Sequence, residues 1–173
     1  MSSALLLTGA PGTGKSSTLG ALATLLEIEG VEFGALEAEQ LAWGSPWLPF
    51  ADAARQLEMV LDHQRTAGRR LFLIAATAEN AQELSLITAA IRAERLLIVC
   101  LSASPETVAA RLGAREPDRW PGKAGLIARA RGLALAMPAL SGIDRLIDTE
   151  SVSVDQVAGE VRDEMRAHGL LSG

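Results

Sequence analysis

The chain of 173 residues holds one cysteine, two lysines, three tryptophans and three phenylalanines, so several classes of protein are excluded at once. A single cysteine permits neither an internal disulfide nor a cysteine-based zinc cluster. Its position within the apolar run 96–101 makes Cys100 a packing residue. A basic excess is also missing. The net charge is −5, and the arginines are spread along the chain without interleaved aromatics, which argues against a nucleic-acid surface and favours small-molecule ligands. The N-terminus has no basic segment, and its short apolar stretch runs directly into a glycine-rich loop, so neither a signal peptide nor a membrane span is expected. A cytoplasmic location follows as the expectation, with no membrane partner. The length suits one α/β domain, 1–173, with a full core.

Scarce lysine makes the placement of Lys15 informative. It stands in Gly9-Ala10-Pro11-Gly12-Thr13-Gly14-Lys15-Ser16, directly after the apolar run Ala4-Leu5-Leu6-Leu7-Thr8. The spacing is that of the phosphate-binding loop G-x-x-x-x-G-K-[ST]. Its glycines let successive backbone N–H groups point inward as an anion nest, which the positive end of the following helix reinforces. Lys15 is then expected on the β- and γ-phosphates of ATP and Ser16 on Mg²⁺. The alternative is a glycine-rich strand-to-helix turn without a ligand, which leaves the lysine unexplained.

Elsewhere, short apolar runs alternate with amphipathic stretches, the pattern of a parallel sheet covered on both faces. Strands are predicted at 5–8, 31–36, 71–77, 96–101 and 145–148. Helices are predicted at 15–29 with Gly30 as its stop, 51–66, 81–92, 105–114 with Ser104 as N-cap and Pro105 at N1, 123–137 stopped by Pro138, and 155–168.

Phosphoryl transfer needs a carboxylate beside the phosphates. The third predicted strand ends without an aspartate. The candidates are therefore Glu37 and Glu39 after the second strand, on one side if the strand continues through both. One would hold Mg²⁺ and the other the acceptor hydroxyl; otherwise both are solvated loop residues.

Trp43, Trp47 and Phe50 crowd into the proline-bearing segment 43–50. This segment forms either a stacking wall for a ring-bearing acceptor, with Gln40 adding a hydrogen bond, or a stiff loop packed on its neighbouring helix. Arg111, Arg115 and Arg119 recur every four residues ahead of the segment 116–123, which reads as a short lid. Arginines there neutralise a triphosphate or stack on its base, or else pair with carboxylates on a wet helix face. Asp148 and Thr149 follow the last strand and either approach the base or turn the chain.

On these residues the chain resembles the small-molecule P-loop kinases, nucleoside- and nucleotide-kinase-like proteins with relatives of the shikimate-kinase, gluconate-kinase and chloramphenicol-phosphotransferase type. The resemblance implies a P-loop NTPase fold with a five-stranded parallel sheet in the order 2-3-1-4-5 and helices on both faces. It also implies that Gly9, Gly12, Thr13, Gly14, Lys15, Ser16 and Ser17 hold ATP and Mg²⁺, that Arg111 and Arg115 touch adenine and phosphates, and that Glu37 and Glu39 replace an Asp-x-Asp pair. The expected activity is Mg²⁺- and ATP-dependent phosphorylation of a small metabolite or antibiotic. The rival is a nucleotide-binding switch or accessory ATPase that acts on a protein partner.

Overall fold

Ala4, Leu5, Leu6 and Leu7 have no polar side chain among them because both faces of the strand that contains them are covered. In the computed structural model, which describes residues 2–171, this strand, β1 (Ser3–Thr8), is central. It pairs in parallel with β3 (Leu71–Ala75) on one side and β4 (Arg95–Ser102) on the other; β2 (Gly34–Glu37) and β5 (Arg145–Asp148) form the edges. The sheet is five-stranded and wholly parallel, with strand order β2-β3-β1-β4-β5.

Side-chain alternation divides the core in two. Leu5 and Leu7 face helices α1 (Lys15–Ile28) and α7 (Val154–Ala167), where they meet Leu19, Leu22, Leu26, Val157 and Val161. Ala4 and Leu6 face α3 (Phe50–Thr66) and α4 (Ala81–Ile91), with Leu57, Leu61, Leu84, Ile87 and Ile91. A third cluster, around Cys100, Val108, Leu112, Ala130 and Met137, joins β4 to α5 (Pro105–Arg115) and α6 (Lys123–Ala136). Burying twelve leucines and isoleucines on the α1/α7 side and eight on the α3/α4 side, at roughly 1.5–3 kcal/mol apiece, gives the sheet its main stabilisation.

Local signals act as the sequence predicts at several ends. Gly30 takes φ +72°, and Val31 N–H returns to the Leu26 carbonyl at 2.9 Å, closing α1. Ser104 Oγ accepts from Thr107 N at 3.2 Å, with Pro105 in the first turn of α5. Helix α6 stops at Ala136, and Pro138 sits in a 3₁₀ turn, Met137–Ala139.

Most ends shift by a residue or two, as for the third strand, which stops at Ala75 and not at Thr77; the larger departures are around the second strand. The second strand begins at Gly34, not Val31, because Val31 is drawn into the closure of α1. It also ends at Glu37, since Ala38-Glu39-Gln40-Leu41-Ala42 forms a short helix, α2 (Ala38–Ala42). All five are residues of fair to good helix propensity, but one turn and a half shows no periodicity to read. Among the described residues no helix is long and apolar enough to cross a membrane.

Candidate functional site

Between β1 and α1 the chain makes three left-handed turns, Gly9 at φ +139°, Gly12 at +88° and Gly14 at +96°, conformations that residues with a Cβ rarely adopt. The loop is also pressed against its neighbours. A Cβ on Gly9 would run into the Leu101 carbonyl of β4, and one on Gly12 would stand 3.0 Å from the Val108 carbonyl of α5. Thr13 holds the curl by donating from N and Oγ1 to the Ala10 carbonyl, at 3.2 and 2.8 Å. Helix α1 then begins at Lys15 with no side-chain cap. The N–H groups of its first turn, Lys15, Ser16 and Ser17, therefore lack intrahelical partners, and together with the helix dipole they form a site for an anion.

Lys15 folds back over this loop. Its side chain is buried, and Nζ donates to the carbonyls of Gly9 at 2.9 Å and Ala10 at 3.3 Å. Burial pulls its pKa below the usual lysine value. Glu39 opposes that most strongly, with Cys100 and Glu37 helping, while Arg115 adds to the lowering.

The glutamates do not share a strand face. The expected alignment fails because β2 ends at Glu37 and Glu39 lies in the first turn of α2. They divide instead. Glu37 Oε2 accepts from Ser16 Oγ at 2.9 Å, and Glu39 Oε1 accepts from Thr77 N, just past β3, at 2.7 Å. Helix α2 thus delivers a carboxylate to the end of the strand whose own sequence lacks one. Sequence reasoning missed Thr77 because the partner is a backbone N–H, which no residue type marks. Gln40 is exposed on α2.

Trp43 and Trp47 are 70% and 59% exposed, so the packed-loop alternative does not describe them; Phe50 alone turns inward, against the core. Helix α3 runs from Phe50 back toward the amino end of β3, so the segment 43–49 lies at the carboxyl edge of the sheet, on the same side as the phosphate loop.

The arginines separate too. Helix α5 ends at Arg115, so Arg119 does not continue its face; the residue before Pro117 is forced out of the helical region. Arg111 reaches into the loop: Nη1 donates to the Gly12 carbonyl at 3.2 Å and Thr149 Oγ1 at 3.1 Å, and Nη2 to the Thr149 carbonyl at 2.7 Å. Arg115 is largely exposed and pairs with Glu116 at 2.6 Å. In the connection between α5 and α6, Lys123 Nζ donates to the Gly113 and Glu116 carbonyls at 2.6 and 2.8 Å and to Asp118 Oδ1 at 2.7 Å, closing the end of α5. An open surface cleft of about 510 Å³ lies along this connection, lined by Glu116, Pro117, Arg119, Trp120 and Pro121. A second, of about 250 Å³, runs between α1 and β2 and reaches Ser16 and Glu37.

After β5, Asp148 Oδ1 accepts from Glu150 N at 2.9 Å and turns the chain. Thr149 is buried, with Oγ1 3.0 Å from the Thr13 carbonyl. Glu150 meets Ser104 Oγ at 2.6 Å and the Thr107 hydroxyl; the Ser104 bond is the main cause of its lowered pKa.

No family model matches this sequence, and no curated protein does either. Solved structures do match its fold over nearly the whole chain. An unliganded sugar kinase from Janibacter sp. HTCC2649 superposes with a TM-score of 0.71 at 15% identity, covering 100% of both chains. The APS kinase of Mycobacterium tuberculosis in complex with AMPPNP and APS gives 0.68 at 19% identity, over 95% of this chain and 98% of that one. Shikimate kinase from Acinetobacter baumannii in complex with shikimate gives 0.61 at 17%, over 97% and 95%. The likeness over nearly the whole chain, together with the five-stranded parallel sheet in the order β2-β3-β1-β4-β5, gives this chain the fold of the small-molecule P-loop kinases.

Proposed function

We propose that the protein is an ATP-dependent phosphotransferase that moves the γ-phosphate to a hydroxyl of a small cytoplasmic metabolite or antibiotic, and that residues 1–173 act as one domain with 116–123 as a short lid. The observation that carries this reading is the buried Lys15, folded over a loop of positive-φ glycines at the open end of α1 and followed by Ser16, whose hydroxyl is bonded to Glu37. The kinase fold of the neighbours, one of them bound to AMPPNP, supports it.

In this reading Gly9, Gly12, Thr13, Gly14, Ser16 and Ser17 cradle the phosphates through the loop and the first turn of α1, and Lys15 exchanges its two carbonyl partners for phosphate oxygens. Ser16 and Glu37 would hold Mg²⁺. Their hydroxyl and carboxylate oxygens are hard donors already 2.9 Å apart, and a magnesium site that takes one carboxylate and keeps its waters and phosphates needs no larger cluster. When bound, the ion neutralises charge on the phosphates. Glu39, anchored on Thr77 N, orients the acceptor hydroxyl; Gln40, Trp43 and Trp47 border the acceptor. Arg111 positions the loop through Gly12 and Thr149, on the nucleotide side, and Arg115 stabilises the transferred group as the lid closes.

The acceptor oxygen bonds to the γ-phosphorus while the bond from that phosphorus to the bridging oxygen breaks. ADP leaves with the electron pair, and the hydroxyl proton passes through Glu39 to solvent. Exclusion of water by the lid prevents hydrolysis from competing.

The test is incubation with Mg²⁺, γ-labelled ATP and a small-molecule cell extract, with Lys15→Ala as control. A labelled compound formed by the wild type alone is the expected result. Label confined to inorganic phosphate or to tightly held ATP would replace the kinase reading with that of a nucleotide switch acting on a protein partner.

A further inference from the structure

The two sides of the candidate site carry different charge. From Ser16 to Ala54 the chain contains no lysine or arginine, and this stretch supplies β2, α2 and the Trp43–Trp47 segment. The carboxyl ends of β2 and β3 instead present Glu37, Glu39 and Glu79. The cations that approach this side are already engaged: Lys15 with the Gly9 and Ala10 carbonyls, Arg55 with Asp52, Arg115 with Glu116, and Arg129, from α6, with Glu79. Arg111 and Arg115 belong to α5, Arg119 to its connection to α6, and Lys123 to the first turn of α6.

The tryptophans are brought together by the backbone. Leu48 N–H donates to the Ala42 carbonyl at 3.0 Å, which closes the loop 43–47 at its neck. Trp43 and Trp47 each adjoin that neck, so two exposed indoles rise from neighbouring points, with Pro46 and Pro49 stiffening the chain between and after them. Indole faces attract cations and stack on flat apolar rings.

Resting on the kinase reading, we infer that the acceptor is a ring-bearing hydroxyl compound that carries a protonated amine, and not a carboxylate or a phosphate ester. The amine is held by the indole faces and the Glu39 side of the wall and stays a bystander; the hydroxyl takes the phosphoryl group. An anionic acceptor would meet Glu39 beside a stretch, Ser16 to Ala54, that carries no lysine or arginine to offset it, while in the kinase reading Lys15 and Mg²⁺ are committed to the phosphates.

Calorimetric binding to the protein loaded with Mg²⁺ and AMPPNP tests this without turnover. Matched pairs would be used: 2-amino-1-phenylethanol against mandelate, and glucosamine against glucuronate. The amine of each pair is expected to bind at least tenfold more tightly than its acid. That preference should be lost in Trp43→Ala/Trp47→Ala, with AMPPNP affinity retained, and reduced in Glu39→Gln. Equal or tighter binding of the acids, or no binding of either class, overturns the inference. A parallel assay with labelled ATP separates it from the kinase reading. Amines that bind but are never labelled leave the charge preference standing and remove the kinase. Labelled acids keep the kinase and remove the charge preference.

Discussion

Arg111 and Thr149, 38 residues apart, are joined twice: the guanidinium reaches the threonine carbonyl at 2.7 Å and its hydroxyl at 3.1 Å. The same guanidinium holds the Gly12 carbonyl, and the same hydroxyl lies 3.0 Å from the Thr13 carbonyl. Helix α5, the loop after β5 and the phosphate loop are thereby tied at one point. The anion nest is shaped before any ligand arrives, so less ordering is required on binding.

Arg111→Ala should therefore loosen the loop as well as remove a charge. Hydrogen bonds from a charged donor contribute about 1.5–3 kcal/mol. A loss of that order in unfolding free energy, with at least a tenfold loss in ATP affinity, is expected from denaturant titration and nucleotide binding. Arg111→Lys should not restore either, because an ammonium cannot span three acceptors in the guanidinium's fork. A wild-type melting curve for Arg111→Ala would show that the tie is incidental.

Lys15→Ala should separate fold from activity. The buried ammonium is disfavoured by its desolvation, so removing it leaves melting within a few degrees of wild type, while transfer should fall at least ~10³-fold. The lowered pKa also sets a direction with pH. The folded state releases this proton before the unfolded chain does, so the Lys15 contribution to stability rises with pH between its folded value and 10.5. ATP affinity should fall over the same interval, beginning below pH 10.5. Affinity that holds until an ordinary lysine titrates would contradict the burial argument.

The Ser16–Glu37 contact at 2.9 Å predicts a metal phenotype. Glu37→Gln keeps a hydrogen-bond acceptor but removes the charge. Binding of metal-free ATP should change little, whereas the Mg²⁺ concentration for half-maximal transfer should rise about tenfold, as for loss of one carboxylate ligand. Glu39→Gln should instead lower kcat with the Mg²⁺ requirement unchanged. The same metal response in both variants would place the two glutamates in one role.

Cys100 is pushed up to about 11 from 9.0, chiefly by burial, with Lys15 opposing. A raised pKa means that the fold retains the proton. Its contribution is complete below pH 9.0 and is lost as pH rises through about 11, roughly 3 kcal/mol in all at 1.36 kcal/mol per pH unit. Iodoacetamide at pH 8 should leave the native thiol unmodified and label it only after unfolding. In Cys100→Ala the alkaline loss of stability should shrink. Rapid native labelling would show that the thiol is accessible.

The order of elements was legible because short, doubly buried strands and one-sided helices leave separate periodicities. The run Leu5-Leu6-Leu7, the Gly30 stop and the Ser104-Pro105 start each carry their reason within a few residues. The phosphate loop was legible for the same reason, since positive-φ glycines and one lysine at fixed spacing are local demands. Helix α2 was not, being too short to show a period, and so the separate partners of Glu37 and Glu39, Ser16 and Thr77, were hidden with it.

What the sequence determined by itself was the doubly covered α/β pattern and the positive-φ glycine turn between β1 and α1. Only the tertiary structure decided that Glu39 reaches the end of β3 through Thr77 N–H, that Arg111 serves the loop through Gly12 and Thr149, that Lys123 closes α5, and that Trp43 and Trp47 share the neck of one loop. The physical reason is common to them. Each depends on a backbone N–H or carbonyl, groups that every residue but proline carries alike, so their partners become readable only when the chain has brought distant segments together.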